Sequence, residues 1–440
     1  MSVEDVRRAL ERRAVPAGLT NPDAPATPHN DNTPAGSEAW REDLERKSNG
    51  AIRCNLRNAV TAFTSAPAWQ GVLAFDQFRN QPVVCKAIPS FALPTEAPDR
   101  PRPLEDQDVI LAQHWLQAAA MSEVSKTTVH DALVTVAQQR RYHPVRDHLG
   151  HMTWDGEERL DRWLTNYLDA PDKPYTRLVG RMWLIQAVAR IYEPGCQADH
   201  ALVLEGEQGV GKSTAGRILG GEWYGDNLPS VEDQVRAQQY LRGKWIIEVA
   251  ELQAFSRAQT AQIKSFITTR TEQYIPKYGR REVQEPRQCV FLCTTNERAY
   301  LRDETGGRRF WPVPVGSIAI NDLLRDRDQL LAEAVAAYKS GEEWWPLPET
   351  ERTIIQPEQE ARYEGDPWEG PIKRWLEEHA SNHVEVAGVA EGALDLQRSK
   401  IGSREQRRIT AILHELGWTP KRVKGRRKWA APNPPQPDGE

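Results

Sequence analysis

One octapeptide limits what this chain can be more than any other feature of it. Gly206-Glu207-Gln208-Gly209-Val210-Gly211-Lys212-Ser213 follows the apolar run Ala201–Leu204 and precedes a helical stretch. This is the pattern G-x-x-x-x-G-K-[ST] in the strand, loop and helix setting that its mechanism demands. Glycines let backbone N–H groups converge on phosphate, and the helix N-terminus adds partial positive charge. The pattern predicts a triphosphate cradle from Gly206 through Thr214, with Lys212 on the β and γ oxygens and the Ser213 hydroxyl on Mg²⁺. Two further apolar runs, Trp245–Val249 and Val290–Thr294, are separated by helical segments. Such spacing predicts a parallel sheet with helices on its faces.

A phosphate loop does not by itself tell a kinase from a motor, so the ends of the neighbouring strands decide. Trp245-Ile246-Ile247-Glu248-Val249-Ala250-Glu251 reaches two carboxylates. One of them should hold Mg²⁺ or polarise the attacking water; Glu251 lies nearer the strand's carboxyl end, where ligands bind, and is favoured as the metal acid with Glu248 as its helper. The run Val290–Cys293 ends in Thr294-Thr295-Asn296, and a side-chain amide there can hold water or the γ-phosphate in line. Beyond it, Gly306 and Gly307 present Arg308 and Arg309, a pair suited to insertion into a neighbour's nucleotide site.

The chain has 440 residues, of which 39% are hydrophobic and 27% charged, enough to fold several domains. No run approaches the roughly 18 to 20 apolar residues a bilayer crossing needs. The opening Met-Ser-Val-Glu-Asp lacks the order of a secretory signal, so a soluble, cytoplasmic protein is expected with no membrane partner. Five scattered cysteines suit a reducing compartment. A net charge of -5 argues against wholesale polyanion coating, yet Lys421 to Lys428 holds six basic residues in eight and no acid, so nucleic-acid contact is expected to be local.

Composition and period divide the chain as follows: a flexible lead over 1–50, an accessory segment over 51–103, and a mostly α region over 104–198. The nucleotide core then occupies 199–345, a polar linker 346–370, a winged-helix domain 371–432 and a disordered tail 433–440. In the last domain, Ser403 with Gln406 predicts a capping box before Ile409, Ile412, Leu413 and Leu416, closed by Gly417. Asp106 and Asp108 read as helix-capping acids, and His143, His148 and His151 with Asp147 fit no closed zinc spacing.

The series of motifs resembles the virulence-associated E family of phages and mobile elements, related to superfamily-3 helicases and viral primase-helicases. The resemblance runs from about Asn55 to Trp429 and is densest in the octapeptide, Gly243–Leu252, Pro286–Phe291, Thr294–Asn296 and Gly307–Val313. It implies a P-loop α/β core of the AAA+ and superfamily-3 kind, using ATP and Mg²⁺ and closing into a homo-hexamer on DNA, with replication proteins as partners. It implies Walker A at Lys212 and Ser213, Walker B at Glu251, sensor 1 at Asn296 and an arginine finger at Arg308 or Arg309. The two acids stand three apart here rather than adjacent, which leaves their duties shared between Glu248 and Glu251. In the related helicases a hairpin between Walker B and sensor 1 grips DNA; Lys277, Tyr278, Arg280 and Arg281 fill that interval. The terminal domain would add Arg404, Arg407 and Arg408 on its capped helix and Arg422, Lys424, Arg426, Arg427 and Lys428 along its wing.

The expected function is an ATP-dependent DNA helicase or translocase acting in replication initiation of a mobile element. The alternative is a nucleotide-switched initiator or phage-interference ATPase that does not unwind. A metabolic kinase would leave the basic tail without a purpose.

Overall fold

The computed structural model describes residues 39–91, 95–252, 257–275, 281–297, 300, 307–362, 368–379, 383–423 and 426–431. Two compact units emerge, Met1–Arg298 with Arg308–Gln359, and Ala299–Gly307 with Glu360–Glu440.

The first unit begins with strands β1 (Leu73–Asp76), β2 (Gln81–Val84), β3 (Arg102–Pro103) and β4 (Arg141–Tyr142) in the order β3-β2-β1-β4. Helices Leu56–Ser65, Asp106–Ala119 and Lys126–Ala137 accompany them. The lead expected to be flexible as far as residue 50 is ordered from Ala39 onward. Trp40 and Leu44 are buried, and Trp40 stacks on Trp115 at 5.7 Å, so two large apolar side chains offset the cost of ordering a polar stretch. Asp108 caps its own helix, accepting from Glu105 N at 2.8 Å while Arg102 clamps both its oxygens.

The central sheet is parallel throughout. Its strands β5 (Ala201–Glu205), β6 (Tyr224–Gly225), β7 (Ile246–Val249), β10 (Val290–Thr295) and β11 (Phe310–Pro314) run in the order β11-β5-β10-β7-β6. Between β7 and β10 a separate antiparallel hairpin forms from β8 (Thr271–Tyr274) and β9 (Val283–Pro286). Every residue of β5, β7 and β10 is buried, which accounts for their continuous apolar runs. Helices Pro174–Tyr192, Lys212–Gly220 and Ile320–Lys339 share one core with the sheet. Trp183 Nε1 donates to Phe291 O at 3.0 Å and Trp245 Nε1 to Ala187 O at 2.8 Å, locking the first of these helices to β10 and to the entry of β7. The stretch expected to be linker from 346 is not all linker. Ile355 is fully buried in this core and Gln359 donates to Phe310 O at 2.9 Å, because the polar run hides one apolar anchor and one amide partner.

The second unit holds helices Glu369–Glu378, Val386–Leu394 and Ser403–Glu415 with strands β12 (His383–Val384), β13 (Thr419–Val423) and β14 (Arg426–Ala430) in the order β12-β14-β13. Ile372, Val389, Ile409, Ile412, Leu413 and Trp429 form its core. The last helix is capped one residue earlier than expected. Gly402 is the N-cap and its N–H donates to Glu405 at 2.9 Å, so Glu405 rather than Gln406 closes the turn and Ser403 is the first helical residue. Among the described residues no helix is long and apolar enough to cross a membrane.

Candidate nucleotide site

Parallel register brings the carboxyl ends of four strands to one edge. Thr295 stands beside Glu205, Cys293 beside Val249 and Pro314 beside Glu205, so the residues that follow these strands meet there. The glycine loop occupies that edge. Gly206 N donates to Thr295 O at 3.2 Å, and a Cβ at Gly206 would lie 2.8 Å from Val315 O, so only glycine fits between the ends of β10 and β11. Gly211, at φ +102°, turns the chain into the helix that starts at Lys212.

Lys212 is buried to 8% exposure. Its Nζ donates to Gly206 O at 2.7 Å, Glu207 O at 2.8 Å and Asn296 Oδ1 at 3.0 Å. All three partners are neutral oxygens. Burial lowers the lysine's pKa from its ordinary value, with Glu248 pulling the other way. The geometry therefore joins the loop lysine to Asn296, the residue just after β10.

Glu248, on β7 and 4% exposed, gathers three hydroxyls. Ser213 Oγ donates to its Oε1 at 2.6 Å and Thr294 Oγ1 to the same oxygen at 2.9 Å, while Tyr224 OH donates to Oε2 at 2.5 Å. Burial, then the adjacent carboxylate, holds the Tyr224 hydroxyl protonated far above the usual range. Glu251 stands apart. It is exposed, two residues past the end of β7, and its backbone takes φ +54°, a strained setting for a non-glycine residue. Thr294 and Tyr224 were not singled out from the sequence. Thr294 lies in the expected strand-end run, whereas nothing local marks a tyrosine 24 residues away from the acid it touches.

Arg308 and Arg309 occupy the opposite edge. They lie in the short 3₁₀ turn Gly307–Arg309 just before β11, and Phe310 pairs with Ala201 at the start of β5. A five-residue strand, roughly 16 Å at about 3.3 Å per residue, separates them from the glycine loop of their own chain. His200 stacks on Trp311 at 4.3 Å there, and burial, with Arg308 and Arg309 adding to it, pushes its pKa down to about 4.

Of the expected DNA contacts, Lys277, Tyr278 and Arg280 lie outside the described residues, as do Lys424 and the side chain of Arg426. Arg281 is exposed, two residues before the return strand β9. In the second unit Arg407 is exposed with Nε on Ser403 O at 3.1 Å, and Arg408 lies 3.9 Å over the Trp368 ring. Lys421 stands opposite Lys428, and Arg422 opposite Arg427, on the antiparallel pair β13 and β14. Lys428 also reaches Glu385 at 3.4 Å. The three histidines diverge: His143 bonds Gln288, His148 packs on Trp223 and His151 bonds Asp147 O.

Residues 149–364 match the model of the virulence-associated protein E-like domain. They form a domain of that family. The virulence-associated E-like domain thus spans the whole parallel sheet and the buried turn at Ile355, and leaves residues 39–148 and the helices and strands from Glu369 onward outside it. The chain is similar to two solved structures of the NrS-1 C-terminal region in the apo form. One is 15% identical, covering 82% of this chain and 95% of that one at a TM-score of 0.45. The other, an A form, is 14% identical, covering 82% and 96% at 0.44. No curated protein matches the chain.

Proposed function

We propose that this chain is an ATP-hydrolysing DNA helicase or translocase serving the replication of a phage or other mobile element. In this reading it is a P-loop motor of the superfamily-3 kind that closes into a hexameric ring and carries a winged-helix DNA-binding unit. Lys212 carries the proposal: a buried ammonium whose partners are all neutral oxygens is completed by an anion. Triphosphate oxygens arriving at the Gly206–Gly211 backbone would take over the bonds that Gly206, Glu207 and Asn296 now accept.

The Ser213 hydroxyl and the Glu248 carboxylate form a hard oxygen pair that suits Mg²⁺, and Thr294 and Tyr224 orient the carboxylate from outside. When bound there, Mg²⁺ would supply charge neutralisation for the triphosphate. The geometry supports giving the metal to Ser213 and Glu248 and giving the exposed Glu251 the proton of the attacking water, the reverse of the sharing expected from sequence. Asn296, tied to Lys212, would hold the terminal phosphoryl group in line. The strand-length separation of Arg308 and Arg309 from their own loop supports their acting on a neighbour's nucleotide, so that hydrolysis waits for assembly.

The opposed pairs Lys421 with Lys428 and Arg422 with Arg427 support DNA as the partner. Like charges directly across a ribbon destabilise it, and a phosphate backbone relieves that repulsion without reading sequence. Three helices with a three-stranded sheet support the winged-helix assignment.

The test is phosphate release by the full chain with Mg²⁺ and ATP, with and without forked DNA, alongside strand displacement. Hydrolysis stimulated by DNA and coupled to displacement is expected. Stimulated hydrolysis without displacement would reduce the protein to a nucleotide-switched DNA binder, and no affinity for ATP would end the motor reading.

A further inference from the structure

The hairpin β8–β9 is held at its base by one carboxylate that three separate segments share. Glu285, on β9, accepts from Asn80 Nδ2 at 2.7 Å, from both Arg242 Nε at 2.8 Å and its terminal nitrogen, and from Tyr274 OH at 2.8 Å. Tyr274 lies on β8, directly opposite Val283, and the Arg242 guanidinium sits 5.5 Å over its ring. Arg242 ends the turn that leads through Gly243 and Lys244 into β7, the strand of Glu248. Asn80 comes from the turn between β1 and β2, outside the virulence-associated E-like domain.

That turn touches the domain again beside this point. Gly243 N donates to Phe78 O at 3.2 Å, and a Cβ at Gly243 would lie 2.7 Å from the Arg79 side chain. His143 Nε2 meets Gln288 Oε1 at 2.7 Å, two residues before β10, the strand that leads into Asn296. The N-terminal segment therefore holds the hairpin base and the entries of both strands that carry the nucleotide site. Burial alone would raise the Glu285 pKa, but the bonds from Arg242, Asn80 and Tyr274 outweigh it and keep the carboxylate charged.

We propose that Glu285 and Asn80 form a positioning clasp through which the N-terminal segment fixes the angle of the hairpin and couples it, by way of Arg242, to the nucleotide site. The coupling half of this rests on the reading that the hairpin meets DNA; the clasp itself does not. Neither residue bonds Lys212 or Glu248, so the expected signature is a split between basal and DNA-stimulated turnover.

Asn80 adopts φ +53°, where glycine is the least disturbing truncation. In the full chain, Asn80→Gly should speed amide exchange in β8 and β9 by about tenfold while leaving β5 and β10 unchanged, as expected when a local restraint is removed from a stable core. Basal hydrolysis should stay within about twofold of wild type, and stimulation by forked DNA should fall by about fivefold. Glu285→Gln should do the same. The double exchange Asn80→Asp with Glu285→Gln rebuilds the hydrogen bond with its polarity reversed and should recover part of the stimulation. Unchanged hairpin exchange in Asn80→Gly overturns the clasp. Equal losses of basal and stimulated hydrolysis overturn the coupling and leave a structural contact. If wild-type hydrolysis ignores DNA, the hairpin's role in the proposed function fails, and exchange alone judges the clasp.

Discussion

The two edges of the parallel sheet are built to opposite standards. At the carboxyl edge the two buried charges are both partnered, Lys212 on three oxygens and Glu248 on three hydroxyls, and the exposed Asn296 is tied to Lys212. At the amino edge Arg308 is exposed, and Arg309 Nε, Trp311 Nε1 and Glu351 Oε2 are buried atoms without a hydrogen-bond partner among the described residues. Each such orphan costs about 1 to 3 kcal/mol when water is excluded. Burial accordingly raises the Glu351 pKa, with Arg308 opposing it. Among the described residues, the carboxyl edge thus has its buried charges partnered, whereas the amino edge holds buried polar atoms that are not. A chain that meets its own copy edge to edge would bring the unfinished cations to the finished cradle.

The strongest way to break that comparison is to remove the arginines. Arg308→Ala or Arg309→Ala should lower turnover of the assembled protein by about 10³-fold or more if one is a finger acting in trans. Mixing either variant with Lys212→Ala chains should restore activity where two intact half-sites meet. Verified mixed assemblies with no recovery would show that the amino edge serves its own chain only. Next comes the finished edge itself. Lys212→Ala should reduce turnover by about 10² to 10³-fold, comparable to removing a single preorganised donor, with melting little altered. Glu251→Gln should cost about 10²-fold in kcat with nucleotide affinity retained, whereas Glu248→Gln should weaken Mg²⁺-dependent binding as well. Equal behaviour of the two acids in a Mg²⁺ titration would contradict the division between a buried metal side and an exposed water side.

Much of the carboxyl edge was legible in the sequence, and the reasons are local. The octapeptide, the apolar runs before it and after it, and Asn296 at a strand end all announce themselves within a few residues. The order of Glu248 and Glu251 did not. Alternation along a strand would separate residues three apart, but the strand stops at Val249, and Glu251 then enters a left-handed turn that period alone cannot foresee. The same limit hid the ordered lead: Trp40 and Leu44 sit among proline-rich polar sequence, and their partners are helices tens of residues away. Ile355 and Gln359 were lost in a charged run for the same reason, as a single apolar residue has no period. The clasp at Glu285 joins residues 205 positions apart, which no window on the sequence spans.

The smallest test of the comparison uses pH, because the unfinished edge carries a histidine that resists protonation. An unfolded histidine titrates near 6.5, but His200 in the folded chain is pushed down to about 4, by burial first and by Arg308 and Arg309 in addition. Above pH 6.5 neither state binds the proton and the full stability is present. As pH falls from 6.5 toward 4 the unfolded state takes up a proton that the native state refuses, so stability drains by about 1.4 kcal/mol per unit at most. His148, also pushed down to about 4 by burial and Arg327, adds the same sign. His200→Phe keeps a ring on Trp311 but cannot titrate, so between pH 7.5 and 5 the variant should lose about 1 to 2 kcal/mol less than wild type in urea denaturation. In Arg308→Ala the His200 resonance should titrate higher than in wild type, since one of the two nearby cations is gone. A His200 titration that ignores the arginine would mean that the guanidinium lies too far from the edge to matter there, and the case for a charged amino edge would rest on Arg309 alone.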